Sequence, residues 1–400
     1  MARTRRARRR RAGALTAVCA TAALSFTAPA AQAAPEGRVL GAGTPGTVSG
    51  SYIVTLKDGT RAVSTAGKNL AAQYGARISH AYGRVLNGYA IEASSAQARR
   101  LAADSRVASV AQDTEVADSH FQQNPPSWGL DRIDQRALPL DRGYTWPESA
   151  GAGVTVYVVD TGIRITHKDF GGRASYGWDF VDGDARAQDG NGHGTHVAGT
   201  IAGTTYGVAK EAKLVAVRVL DDDGSGTTAD VIAGIDWVTA HAHKPAVANL
   251  SLDGYANPQL DAAVRNSIAS GVTYTVAAGN DGAPAGDYSP ARVRQAITVG
   301  ATDRKDARAA YSNYGPALDL FAPGTAITSD WNTSDTAKAT VSGTSMAAPH
   351  ATGAAALYLA DHPTATPARV GTALEQQAAA GAVTDAGQGS PKRLLQVDNP

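Results

Sequence analysis

Cysteine is nearly absent, since the 400-residue chain contains only Cys19. Cys19 lies inside an N-terminal stretch that reads as removable, so the mature chain has no disulfide, no cysteine nucleophile and no cysteine-ligated zinc. Acidic residues are missing from the first 33 positions, which hold seven arginines. Beyond them no run approaches the roughly 20 apolar residues of a membrane span. The 43 glycines follow no Gly-X-Y period, which excludes collagen and points to tight turns in a loop-rich α/β protein. From Phe121 onward 21 basic residues face 29 acidic ones, a net charge of −8. That sign is opposite to what phosphate neutralisation needs, so a nucleic-acid partner is not expected.

The first segment has the form of a secretory signal peptide: arginines to Arg11, an apolar run from Ala14 to Phe26, then Ala31-Gln32-Ala33. The expected product is secreted and extracellular, with no membrane contact after export. Residues 51–116 then read as a small α/β unit, with strands at 52–56, 88–92 and 107–111 and helices at 69–74 and 95–103. Gln122 to Ser127 reads as a linker. Farther on, apolar strands at 154–159, 214–219, 247–252, 274–278 and 296–299 alternate with helices at 229–240 and 260–270. This alternation predicts a parallel sheet covered on both faces, with the functional site at the carboxyl ends of its strands.

Polar motifs stand at those ends. Asp160, in Val158-Val-Asp160-Thr-Gly162, emerges from a buried run; alone, it also reads as a turn or helix cap. His193 lies between glycines in Asn191-Gly-His193-Gly-Thr-His196, where nothing bulky blocks a substrate. Ser345, in Ser342-Gly-Thr-Ser345-Met-Ala-Ala-Pro349-His, opens an alanine-rich helix whose free N–H groups suit a developing oxyanion. Met346, directly after it, reads as exposed. Asn280 follows Ala278-Gly279 at another strand terminus. A zinc hydrolase is disfavoured because His193 and His196 lack the i, i+4 spacing and the intervening glutamate. An esterase elbow is disfavoured because Gly343-Thr-Ser345-Met-Ala347 lacks its second glycine.

Asp160, His193, Asn280 and Ser345 in this order resemble the subtilisin-like serine proteases, on the side of the proteinase K and thermitase branches, from about Trp128 to the C-terminus. The resemblance implies a serine endopeptidase with broad protein and peptide substrates, Ser345 as nucleophile, His193 as general base, Asp160 as its orienting carboxylate and Asn280 in the oxyanion hole. It implies a parallel sheet of the seven-stranded subtilisin type preceded by a small α+β pro-domain. The implied organisation is signal peptide 1–33, an inhibitory and folding-assistant pro-domain 34–120 acting in cis, and a monomeric peptidase domain 121–400 released by self-processing near His120-Phe121. Gly224, Ser225 and Gly226 on one side, with Ser251, Leu252, Asp253 and Gly254 on the other, match the segments that pair with substrate backbone, joined by Ala278 and Gly279. Relatives usually carry consecutive glycines where this chain has Asp253-Gly254-Tyr255; the change reads either as neutral loop variation or as a rim that gained charge and bulk. His196 and His350 read as structural.

Calcium is the implied cofactor, with no organic group. Asp179, Asp182 and Asp184, with the Arg186 carbonyl and Gln188, supply hard oxygens in one short loop, although a solvated acidic loop has the same composition. A second calcium site is implied at Asp319 with the carbonyls of Arg294 and Ala296.

Overall fold

The computed structural model describes residues 35–43, 47–114 and 120–397. The signal peptide at 1–33 lies outside the described residues. Two compact units, Met1–Ala117 and Asp118–Pro400, divide the chain.

In the first unit, strands β1 (Val39–Leu40), β2 (Thr47–Leu56), β3 (Arg77–Tyr82), β4 (Gly88–Glu92) and β5 (Val107–Thr114) form one sheet in the order β1-β5-β2-β4-β3. Helices α1 (Thr65–Gln73) and α2 (Ser95–Ala102) close its core of Val54, Leu70, Tyr89, Ile91 and Leu101. Ser94 caps α2 with a capping box completed by Gln97.

The second unit opens with β6 (His120–Gln123), α3 (Trp128–Ile133) and β7 (Gly143–Trp146). The linker expected at 122–127 is therefore corrected: Gln122 and Gln123 pair antiparallel with Tyr144 and Gly143. That partner strand lies beyond α3 and the loop after it, and non-local pairing of this kind leaves no signature in a polar segment.

The main sheet contains β8 (Thr155–Asp160), β9 (Ala174–Asp179), β10 (Lys213–Arg218), β11 (Ala246–Leu250), β13 (Thr273–Ala277), β15 (Ile297–Thr302) and β16 (Leu320–Pro323). These seven run parallel in the order β16-β15-β13-β11-β8-β10-β9. Short strands β19 (Ala379–Ala380) and β20 (Arg393–Leu394) extend the β16 edge, so the sheet has nine strands in all. Two ribbons flank it: β12 (Gly254–Tyr255) with β14 (Tyr288–Ser289), and β17 (Ile327–Asp330) with β18 (Lys338–Val341). The chain leaves β8 toward β10 and β9, then returns to β11 on its other side. The end of β8 is thus a topological switch point, where α/β sheets open a crevice.

Helices α4 (His193–Ala202) and α7 (Thr344–Asp361) cover one face, while α5 (Thr228–His241) and α6 (Pro258–Ala269) cover the other. Helix α8 (Pro367–Gln377) adds Val370 and Leu374 to the first core. Strand period decides which side chain goes where. In β8, Val156 and Val158 enter the α4 and α7 core, and Tyr157 and Val159 enter the α5 and α6 core. Asp160 shares parity with Val156 and Val158, which turns its carboxylate toward α4.

Helix starts divide into two kinds. Helices α5, α6 and α8 carry side-chain caps from Thr227, Asn257 and Thr366. Helices α4 and α7 begin on Gly192 and Gly343 without a side-chain cap. Their first-turn N–H groups therefore remain available to other partners.

Candidate active site

His193 is the first residue of α4, and Asp160 the last of β8. The His193 Nδ1–H donates to Asp160 Oδ1 at 2.7 Å, which fixes the tautomer and leaves Nε2 as a base. Asp160 is fully buried and also accepts the Thr161 N–H at 2.7 Å. Burial lowers the His193 pKa, but the charge of Asp160 and its hydrogen bond outweigh that, and Asp189 adds to them; the net shift is upward from 6.5.

The loop before His193 is fastened by Asp189, a residue that sequence reading missed. Its carboxylate accepts N–H groups of Asn191, Gly192 and Thr195 at 3.0, 2.8 and 2.9 Å, and the Thr161 hydroxyl at 2.9 Å. Asp189 replaces a side-chain cap for α4, and through Thr161 it joins that helix to the end of β8. The only sequence signal was an aspartate four positions before His193, which has no periodicity to expose it. Gly192 lies at φ +118, and the Trp331 indole fills the place a Cβ would take, 2.4 Å from it. Only glycine fits there.

Ser345 is the second residue of α7. Its hydroxyl donates to the Ser251 carbonyl at 3.1 Å rather than to His193, and Ser251 Oγ donates back to the Ser345 carbonyl at 2.9 Å. Asn280 is exposed, and its Oδ1 accepts the Thr344 N–H at 2.8 Å and the Thr344 hydroxyl at 3.1 Å. Anchoring the oxygen on α7 leaves the NH₂ of this exposed amide available as a donor. Asn313 buttresses this strand end by accepting from Asp281 and Ala283 and donating to the Ala278 carbonyl.

A cleft of about 570 Å³ runs past His193. Gly224, Ser225 and Gly226 line one side, and Ser251, Leu252, Asp253 and Gly254 the other. Ala278 and Gly279 are buried beneath Asn280 rather than on the cleft wall. The exposed reading of Met346 is corrected: it is 1% exposed and packs in the core under α7. One residue of helical rotation past Ser345 turns the side chain inward. His196 and His350 are buried, and burial pushes both down to about 4, so both are neutral core groups.

In the acidic loop, Arg218 Nη1 bonds both Asp179 Oδ2 and Asp182 Oδ2 at 2.7 Å, and Nη2 bonds Asp222 at 2.7 Å. The mutual repulsion expected of an unligated loop is thus partly neutralised by a guanidinium from β10. Asp179 is turned inward, whereas Asp182, Asp184, Arg186 and Gln188 line a cavity of about 310 Å³. The Gln188 amide oxygen accepts the Tyr176 hydroxyl. Asp319 is half-buried; one oxygen accepts the Thr298 N–H at 2.7 Å, and desolvation pushes its pKa up to about 7. With Arg294 and Ala296 it lines another cavity of about 300 Å³.

Comparison with known proteins adds lineage to this geometry. Residues 151–394 match the subtilase family and residues 51–117 match peptidase inhibitor I9. The chain is similar to an extracellular serine proteinase of Thermus sp. (strain Rt41A), at 51% identity over 92% of this chain and 94% of that protein. It is also similar to alkaline serine exoprotease A of Vibrio alginolyticus, at 47% identity over 82% of this chain and 61% of that protein. A solved structure described as a cold adapted subtilisin-like serine proteinase superposes with a TM-score of 0.67 at 51% identity, covering 68% of this chain and 98% of that one. With the sheet, the uncapped helices and the His193–Asp160 pair in place, the chain belongs to the subtilase family, as a serine endopeptidase preceded by a peptidase inhibitor I9 unit.

Proposed function

We propose that the chain is a secreted zymogen whose processed form hydrolyses peptide bonds through Asp160, His193 and Ser345. The observation that carries this reading is the 2.7 Å bond from His193 to the buried Asp160, at the sheet's switch point and on the cleft lined by Ser251, whose carbonyl accepts the Ser345 hydroxyl. A serine hydroxyl is a weak nucleophile, so His193 Nε2 takes the Ser345 proton as Oγ attacks the scissile carbonyl. The amide of Asn280 and the Ser345 N–H stabilise the oxyanion, and His193 then protonates the leaving amine. Water repeats the sequence on the acyl-enzyme and restores Ser345. Substrate backbone lies between 224–226 and 251–254, an arrangement that tolerates many sequences.

The organisation follows the same reading: signal peptide 1–33, an inhibitory pro-domain 34–120 acting in cis, and a monomeric peptidase domain 121–400, with the processing bond near His120–Phe121 at the start of β6. Export places the enzyme outside the cell, as the name of the Thermus relative states for that protein.

Calcium serves as a structural ion. The free oxygens of Asp182 and Asp184, with the Arg186 carbonyl and Gln188, face one cavity; Asp179 is committed to Arg218 and supports that loop from behind. Asp319 is the carboxylate of a second cation site, on one cavity with Arg294 and Ala296, whose carbonyls would complete it.

The direct test is hydrolysis of casein by secreted protein, with and without a serine-directed sulfonyl fluoride, beside Ser345→Ala. Activity is expected to vanish in both cases, and Ser345→Ala to remain at full pro-protein length by mass spectrometry. Activity that survives both treatments removes the proposal.

A further inference from the structure

Beside the nucleophile, the cleft wall carries an acidic side chain with no cation of its own. Asp253 lies two residues after Ser251, whose carbonyl accepts the Ser345 hydroxyl, and both line the cleft with His193. It also reaches the neighbouring strand end: a Cβ built on Gly279 would lie 3.2 Å from Asp253 Oδ2. Gly279, at φ +99, immediately precedes Asn280. Gly279 is buried with the Asn313 amide against it, and the Asp253 carboxylate lies beside this strand end, one residue from Asn280.

Among the described residues, no hydrogen bond or ion pair engages this carboxylate. Although the residue is exposed, partial desolvation by the neighbouring protein and the like charge of Asp281 push its pKa up. Asp261 shows the contrast, since it holds the Ser289 hydroxyl at 2.6 Å and the Arg292 guanidinium at 3.3 Å. Asp253 is exposed at the cleft, so its carboxylate is open to a cation that enters there.

The rim behind Asp253 is held in place. Gly254 and Tyr255 of β12 pair with Ser289 and Tyr288 of β14, and the two tyrosine rings stack at 6.0 Å and 23°. Tyr255 is 87% exposed, and Asp281 hydrogen-bonds Tyr288. Aromatic faces and a second carboxylate add to the attraction a cation meets on approach.

We propose that Asp253 is a specificity-determining residue that favours substrates with Lys or Arg at the residue supplying the scissile carbonyl. The inference rests on the serine-endopeptidase reading of the cleft. When the carbonyl oxygen sits between Asn280 and the Ser345 N–H, the side chain of the same residue departs one carbon away. A lysine or arginine stem then enters the cleft beside Leu252 and Gly254, and its cation meets Asp253.

The test uses the processed enzyme and two peptides that differ only in Lys or norleucine at that residue. In the parent enzyme kcat/KM favours lysine, and the preference weakens as ionic strength rises. In Asp253→Asn the lysine-to-norleucine ratio falls about three- to tenfold and loses its salt dependence, whereas Asp253→Glu keeps a lysine preference. An unchanged ratio in Asp253→Asn overturns the proposal, as does an equal proportional loss on both peptides. So does a lysine preference of the same size when the residue is moved to a flanking position. Folded parent enzyme that cleaves neither peptide, or cleavage that survives Ser345→Ala, instead defeats the protease reading itself.

Discussion

Helix α4 is bordered by two sets of buried carboxylates that are handled in opposite ways. At its N-terminus, Asp189 accepts three backbone N–H groups and the Thr161 hydroxyl, and Asp160 accepts Thr161 N–H and His193. Farther along, Asp330 at the end of β17 is fully buried, and neither of its oxygens meets an N–H or O–H donor among the described residues. Cβ atoms added to Gly199 and Gly203 would lie 2.7 and 3.3 Å from Asp330 Oδ2, so it presses on the helix backbone. His167 Nδ1 is 3.4 Å away, and the acid's hydrogen-bonding neighbour is Asp169. Two carboxylates share a hydrogen bond only when one holds a proton. Burial and the charge of Asp169 push Asp330 up to about 9. Equal burial thus gives acids that hold several N–H and O–H donors at the helix start and a proton-holding acid on its flank; the donors within reach decide which.

The largest test of the contrast removes charge from the donor-rich end. Asp160→Asn offers N–H where His193 needs an acceptor, selecting the wrong tautomer, and kcat is expected to fall about 10⁴-fold, the size of effect known for such a change in a serine-protease triad. The same pair sets pH dependence. His193 acts as base only when neutral, so kcat/KM rises with pH through a pKa held above 6.5, and any residual activity of Asp160→Asn has its acid limb at lower pH. A stopped-flow or steady-state pH profile reads both outcomes.

Asp189→Ala leaves three N–H groups of the α4 entrance without their acceptor. A loss of about 2–4 kcal/mol by denaturant unfolding is expected, with a fall in kcat as His193 loses its seat. Unchanged stability would show that water replaces the carboxylate.

Calcium tests another way of satisfying buried acids. At about 100 times Kd, a bound ion adds about 2.7 kcal/mol, so chelation is expected to lower the melting temperature by about 5–10 °C, ahead of any loss of chemistry. Identical melting in saturating calcium and excess chelator would assign the acidic loop to Arg218 alone.

The smallest effect belongs to Asp330. Its folded pKa is raised, so its contribution to stability is fully present below the unfolded value of 3.8 and is lost as pH rises through about 9. Asp330→Asn cannot ionise and donates to Asp169. Its melting temperature is expected to exceed the parent's by a few degrees at pH 9, with the gap closing toward pH 5 in calorimetric scans.

The sequence by itself determined the alternation of strands and helices, the parity that aims Asp160 toward α4, and the motifs around His193, Asn280 and Ser345, because each depends on residues within one element or one turn. The tertiary structure alone decided what those motifs touch. Arg218 meets Asp179 across 39 residues because β10 lies beside β9, and Thr344 captures Asn280 across 64 because α7 starts at the end of β13. Met346 is buried and Gln122 belongs to a strand for the same reason. Hydrophobic period records which way a side chain points, but the order of strands in the sheet, set by long crossovers and packing of the whole core, determines which distant donor or charge is waiting there.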